Sequence, residues 1–296
     1  MLEDAYGYKG SKLNILTVDV EDYFHTEAMA FAVPRDYWDQ MTPRVEQNTH
    51  KLFEVLERRR VRTTMFFLGW VADRFPQLVA EAVALGHEVA CHSYWHRPVY
   101  RLSREEFRED TKRAKDAIES AAGQQIIGYR APSFSIVQGM DWATDILAEL
   151  EFKYDSSCNP IRHDIYNNPH APRTPHQLRS GILEIPISTL RVFGTNFPFG
   201  GGAYLRVLPL VYMKTGLHLT ARSGEPLVLY LHPWEIDPDQ PRLPVHLKSR
   251  LRQYLGLSGM LARLEWLLET YSFAPTAQTC SHILSEQPAA TDMVFA

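Results

Sequence analysis

The sequence predicts an α/β fold in which a largely parallel sheet closes, or nearly closes, into a barrel. Three observations carry this. Short apolar runs of strand length alternate with segments of helical periodicity. Capping signals and glycines close several of the helical segments. No linker, repeat or low-complexity stretch divides the 296 residues.

The elements follow in order. Residues 13–20, "LNILTVDV", read as a strand, and 44–60, with apolar residues at helical spacing and a basic end, as a helix. "TTMFFLG" (63–69) is a strand, and "FPQLVAEAVALG" (75–86) a helix closed by Gly86. "HEVACHS" (87–93) is a strand. The helix over 103–123 opens on a capping box, Ser103 with Glu106, and ends at Gly123. A strand and loop follow at 126–135, then a helix at 140–152 and strands at 182–188 and 226–232. The Pro-, His- and Asn-rich stretch 159–181 is expected to be an excursion rather than a boundary. Residues 247–273 read as two helices broken near Gly256–Gly259, capping the same domain.

Composition narrows the partners. A net charge of -4 gives no reason to expect nucleic acid or an anionic membrane. Three cysteines, few and odd in number, do not form a disulfide framework and suit a reduced compartment. The polar, acidic start shows no secretory signal, and no window reaches the ~18 apolar residues of a membrane span. A cytoplasmic protein is therefore expected, acting on sugar precursors or at the inner face of the membrane.

Four predicted strand ends carry unusual residues, and chemistry in α/β barrels sits at such ends. "TVDVEDYFH" (17–25) gathers Asp19, Glu21 and Asp22, whose mutual repulsion calls for a cation or a surface. "HSYWH" supplies His92 and His96, spaced to chelate one metal from a helical turn or a tight loop, though this spacing alone is a weak signal. "YRAPSFS" offers Arg130, able to pair with a carboxylate, followed by Pro132. "LVLYLHPWE" ends on His232, with Glu235 and Asp237 beyond it. Each signal has a bland reading: solvated histidines, a surface arginine, a structural imidazole.

Their order along the chain resembles the polysaccharide deacetylases, carbohydrate esterase family 4, also called the NodB homology domain. "TVDVED", "HSYWH", "RAP" and "LYLH" are similar to that family's motifs, "KYDSS" (153–157) to the segment before a further one, and the likeness runs from Leu13 to His232. The tail, with "FPFGGGAYLRVLP" and "YLHPWEIDPDQPR", resembles the deacetylases of exosortase (PEP-CTERM) exopolysaccharide loci, near the allantoinase-like branch. The resemblance implies a distorted (β/α) barrel with a C-terminal helical extension: one domain over 1–296, with a core of about 13–235 and an extension of about 236–296.

It also implies a chemistry. A divalent metal, zinc or else cobalt, nickel or manganese, is held by His92, His96 and one acid. Asp19 is the base, oriented by Arg130, and His232 is the acid that protonates the leaving amine. The usual motif has two adjacent aspartates; here Val20 intervenes. Strand alternation favours Glu21 as the acid ligand, and a turn starting at Val20 favours Asp22. Pro132, Trp95 and Trp234 are candidate substrate contacts, the tryptophans as stacking platforms for sugar rings. The loop "FGGGAY" (199–204) is read as flexible. The implied function is removal of N-acetyl groups from amino sugars of an exopolysaccharide or its precursor, releasing acetate. The alternatives are a hydrolase of small cyclic amides and an inactive glycan-binding scaffold.

Overall fold

The computed structural model describes residues 13–222 and 224–285. Its strands are β1 (Asn14–Val20), β2 (Thr64–Phe67), β3 (Glu88–Cys91), β4 (Gly128–Tyr129), β5 (Tyr154–Asp155), β6 (His176–Gln177), β7 (Leu183–Glu184), β8 (Thr189–Val192), β9 (Thr195–Pro198), β10 (Val228–Leu231) and β11 (Phe273–Ala274). The helices are α1 (Val45–Arg59), α2 (Gly69–Arg74), α3 (Pro76–Ala84), α4 (Arg104–Ala122), α5 (Asp141–Glu149), α6 (Ala203–Val207), α7 (Leu210–Arg222), α8 (Leu247–Tyr254), α9 (Leu257–Thr270), α10 (Thr276–Thr279) and α11 (Ser281–Ser285).

The main sheet runs β10-β1-β2-β3-β4-β5-β7-β6, with every neighbour parallel except β6, and β11 pairs the start of β1. The curled sheet with helices outside is the distorted barrel that the sequence predicts. Among the described residues no regular strand joins β7 to β10. The gap is closed by the chain either side of the β8–β9 hairpin: Ser188 N–H donates to Val228 O at 3.0 Å and Tyr230 N–H to Gly200 O at 2.9 Å. The "FGGGAY" loop is therefore part of the barrel wall, against the flexible reading. A Cβ on Gly201 would stand 2.2 Å from Tyr230 O, so only glycine allows this approach.

Strand alternation sorts the core into two clusters. Leu16, Val18, Met65, Phe67, Val89, Leu229 and Leu231 face outward beneath the helices. Ile15, Phe66, Ala90, Tyr154, Leu183 and Val228 fill the barrel. The capping box of α4 is present, with Ser103 Oγ accepting from Glu106 N–H, and Gly123 ends the helix at φ 66°. The two C-terminal helices break at Gly256, φ 79°. The chain beyond them seals the barrel floor: Glu88 Oε2 accepts from Ala277 N–H at 3.0 Å and Thr64 Oγ1 at 2.7 Å, while Tyr154 Oη donates to Oε1 at 2.8 Å. The three cysteines are free and buried, and no described helix is long and apolar enough to cross a membrane.

Candidate active site

The strand alternation that points Ile15, Phe66 and Val228 into the barrel brings Asp19, His92, Arg130 and His232 together at its C-terminal mouth. Arg130 is the largest fully buried side chain. Its Nη1 donates to Asp19 Oδ1 at 2.7 Å and to Thr17 Oγ1 at 2.6 Å; Nε and Nη2 donate to the carbonyl and hydroxyl of Ser156. With the ring of Phe66 4.3 Å from its guanidinium carbon, it cannot swing.

Glu21 follows Asp19 on the same face. Its carboxylate and the imidazoles of His92 and His96 put one ligand atom each within 4.8 Å of one another, all buried. Glu21 Oε2 lies 2.9 Å from His96 Nε2 yet makes no hydrogen bond. Burial alone would raise the Glu21 pKa, but His96, His232 and His92 reverse this and hold it well below the carboxylate range. His92 Nδ1–H donates to Arg130 O at 2.8 Å, which fixes its tautomer and leaves Nε2 as an electron-pair donor. Burial pushes its pKa down to about 4, so it stays neutral as a ligand must be. Two imidazoles and an under-satisfied carboxylate fit a divalent cation.

The loop bearing the histidine pair is tight rather than helical. Ser93 and His96 both have positive φ, 62° and 49°. Asp110 of α4 holds it there, accepting from Tyr94 N–H at 2.8 Å and Trp95 N–H at 3.2 Å, a role that the sequence reading missed. A lone acid on the inner face of a helix was the available signal.

Asp22 stands apart from this cluster. Its Oδ2 accepts the backbone N–H groups of Arg44 and Val45 at 2.6 and 2.9 Å, and Oδ1 that of Tyr23. It anchors the start of α1, where exposed N–H groups need an acceptor. Burial raises its pKa to about 6 against those hydrogen bonds.

His232 Nε2 lies 3.9 Å from Asp19 Oδ2 and 3.7 Å from Glu21 Oε1. Glu235 orients it: Oε2 accepts from His232 Nδ1–H and from its backbone N–H, both at 3.0 Å. Arg206, itself buried, donates from Nε to Glu235 Oε1 at 2.6 Å. Burial would lower the His232 pKa, but Glu235, Glu21 and Asp19 raise it to about 9. Asp237 plays no part here; it pairs with Arg44 and Asn48.

The candidate substrate contacts divide. Trp234 lines the cavity, but His232 stacks on it at 5.1 Å, Arg206 lies over its ring at 5.2 Å, and its Nε1–H donates to Glu21 Oε1 at 3.2 Å. It braces His232 and the Glu21 carboxylate instead of offering a free face. Trp95 and Pro132 do not line the cavity. Trp95 packs on Trp38 at 6.0 Å, and Pro132 is buried at the start of a turn whose next residues, Ser133 and Phe134, line it instead. The cavity holds about 440 Å³ and includes Tyr166, Tyr204, Tyr230, Leu251 and Leu255.

Two family models match the chain. Residues 37–154, carrying His92, His96 and Arg130, match the polysaccharide deacetylase family. The chain carries a polysaccharide deacetylase domain. Residues 156–281, carrying Arg206, His232 and Glu235, match a domain of unknown function (DUF3473). The cavity thus draws on both matched segments and on the β1 strand before them. A peptidoglycan-N-acetylglucosamine deacetylase of Bacillus cereus is 28% identical over 98 residues, 33% of this chain and 36% of that one. A chitooligosaccharide deacetylase of a Bradyrhizobium species is 32% identical over 100 residues, 34% and 43% of the two chains. The chain thus spans less than half the length of these deacetylases. A putative polysaccharide deacetylase from Mycobacterium smegmatis has the same fold, with a TM-score of 0.62, 19% identity and 96% of each chain covered.

Proposed function

We propose that this polysaccharide deacetylase domain is a metal-dependent hydrolase that removes N-acetyl groups from amino sugars. Its polymer would be an exopolysaccharide or a precursor of one. One observation carries the hydrolase reading: an Arg-held carboxylate and a Glu-held imidazole flank the Glu21, His92 and His96 cluster in a single cavity. The exopolysaccharide assignment rests on the likeness of the tail to the exosortase-associated deacetylases.

Glu21, His92 and His96 would hold the cation, which would be zinc or a similar divalent ion, and when bound it supplies Lewis acidity to water and to the amide carbonyl. Asp19, kept in place by Arg130, accepts the proton of the attacking water. The C–N bond breaks as His232 passes its Nε2 proton to the leaving nitrogen, giving acetate and a free amine. Glu235 keeps that proton available near neutral pH. A binding scaffold needs neither group, so the intact pairs Asp19–Arg130 and His232–Glu235 support an enzyme.

The test is acetate release from a panel of N-acetylglucosamine oligomers and N-acetylated exopolysaccharides, with small ureides as controls. Release that stops on chelation and returns with zinc supports the reading. Turnover of ureides alone would replace it with the cyclic-amide alternative, and no turnover of any panel member with full metal content would remove it.

A further inference from the structure

Helix α8 turns its apolar side outward. Leu247 and Leu251, one turn apart, are 70% and 50% exposed, and Leu255 at its end is 52% exposed, whereas Gln253 is buried. Polar bonds hold the helix in this orientation. Gln253 Nε2 donates to Tyr23 O and Gln240 Oε1, its Oε1 accepts from Thr26 Oγ1, and Arg206 donates to the carbonyls of Arg252, Gln253 and Leu255. The three leucines contribute little to the fold, since exposed side chains gain little from burial.

Their position gives them another use. Leu251 and Leu255 line the catalytic cavity beside Val207, Ile165 and Ala28. Leu247 continues the strip beyond the cavity. Phe31, 86% exposed, lies 6.1 Å from the ring of His246, the residue before α8. An apolar path therefore leaves the site and runs onto the surface. Because its inner end is the cavity wall, whatever enters the cavity covers it. Hydroxyls laid against the three leucines would lose hydration there, whereas polar groups of the cavity such as Glu27, Tyr204 and Arg252 suit the sugar itself.

We infer that the substrate is amphiphilic: an N-acetylated sugar joined to a hydrocarbon chain, as in a lipid-linked glycan, with the chain lying along Leu255, Leu251 and Leu247. This rests on the deacetylase reading for the sugar, and adds the chain.

Calorimetry with methyl and octyl glycosides of N-acetylglucosamine, the latter below its micellar concentration, tests it apart from turnover. The octyl sugar should bind at least about tenfold more tightly, since each methylene withdrawn from water favours binding roughly fourfold. Leu251→Asn and Leu255→Asn should bring the ratio of the two affinities close to one. Equal affinity of the two sugars for the unaltered protein would overturn the inference, as would a preference that survives both substitutions. So would methyl and octyl sugars binding alike to a dimer that hides α8. Tight octyl binding without acetate release in the presence of zinc would uphold the chain site and count against the deacetylase reading.

Discussion

Arg130 Nη1 lies 2.7 Å from Asp19 Oδ1, joining the ends of β4 and β1 across the mouth of the barrel. Both side chains are buried, so each charge depends on the other. Removing one partner of a buried pair typically costs about 3–5 kcal/mol, because the other charge remains without compensation.

Arg130→Met should therefore destabilise the protein by about that amount in urea titrations. The double variant with Asp19→Asn should recover part of the loss, because the orphaned carboxylate is gone. If the two effects simply add, the pair is not coupled. Both single variants should lose about 10²-fold or more in acetate release, the usual scale of a general base.

Glu21 and Asp22 should separate cleanly. Glu21→Gln, like His92→Ala, should abolish stoichiometric metal after dialysis while the circular dichroism stays native. Asp22→Asn should keep its metal and lower Tm instead, since an amide presents one acceptor where the carboxylate uses both oxygens, Oδ2 for Arg44 and Val45 at the start of α1 and Oδ1 for Tyr23. Metal loss in Asp22→Asn with full content in Glu21→Gln would reverse the assignment.

The basic limb of the pH–rate profile should report His232. Its pKa is raised to about 9, so it holds the proton it must donate through neutrality and loses activity as pH rises through that value. Glu235→Gln removes the nearest anion, and the limb should move down by a unit or more. His232→Ala should cost about 10²–10⁴-fold on amides, and far less on an ester whose leaving group departs unprotonated. An equal loss on both substrates would exclude the acid role.

His87 predicts a stability effect far from the site. It is buried, stacked on Phe53, and its Nδ1 accepts from Thr63 N–H. Burial, with some help from Arg62, pushes its pKa down to about 4. A folded value below the unfolded one of roughly 6.5 means stability that is full above that pH and is lost as pH falls towards 4. His87→Gln keeps an acceptor and cannot charge, so its Tm should fall less between pH 7 and pH 4. Identical pH dependence in the two proteins would exclude this contribution.

Period-two alternation made the barrel and its mouth readable, because one rule decides both which residues fill the interior and which side chains meet above it. The same rule favoured Glu21 over Asp22 as Asp19's neighbour. Short-range signals with one physical meaning, such as Ser103 with Glu106, were equally legible. What escaped depends on distant partners. The two-residue strands β5 and β6 carry no pattern of their own. Glu235 reaches His232 only because Pro233–Ile236 forms a tight turn. Asp22 is claimed by the backbone of Arg44 and Val45, 22 and 23 residues on. Trp234 had the residue type of a sugar platform, but its faces are occupied by His232 and Arg206.

The floor formed by residues 273–277 has a consequence during synthesis. Strand β1 is among the first parts of the described chain to leave the ribosome, yet its neighbours β10 and β11 come from the last quarter. Until β10 emerges the nascent sheet has an open edge along β1, and until Ala277 reaches Glu88 its lower end is unplugged. Open edges of this kind pair with other chains, and pairings so distant in sequence form slowly. Translation thus leaves the β1 edge unpaired over the whole stretch between Val20 and Val228.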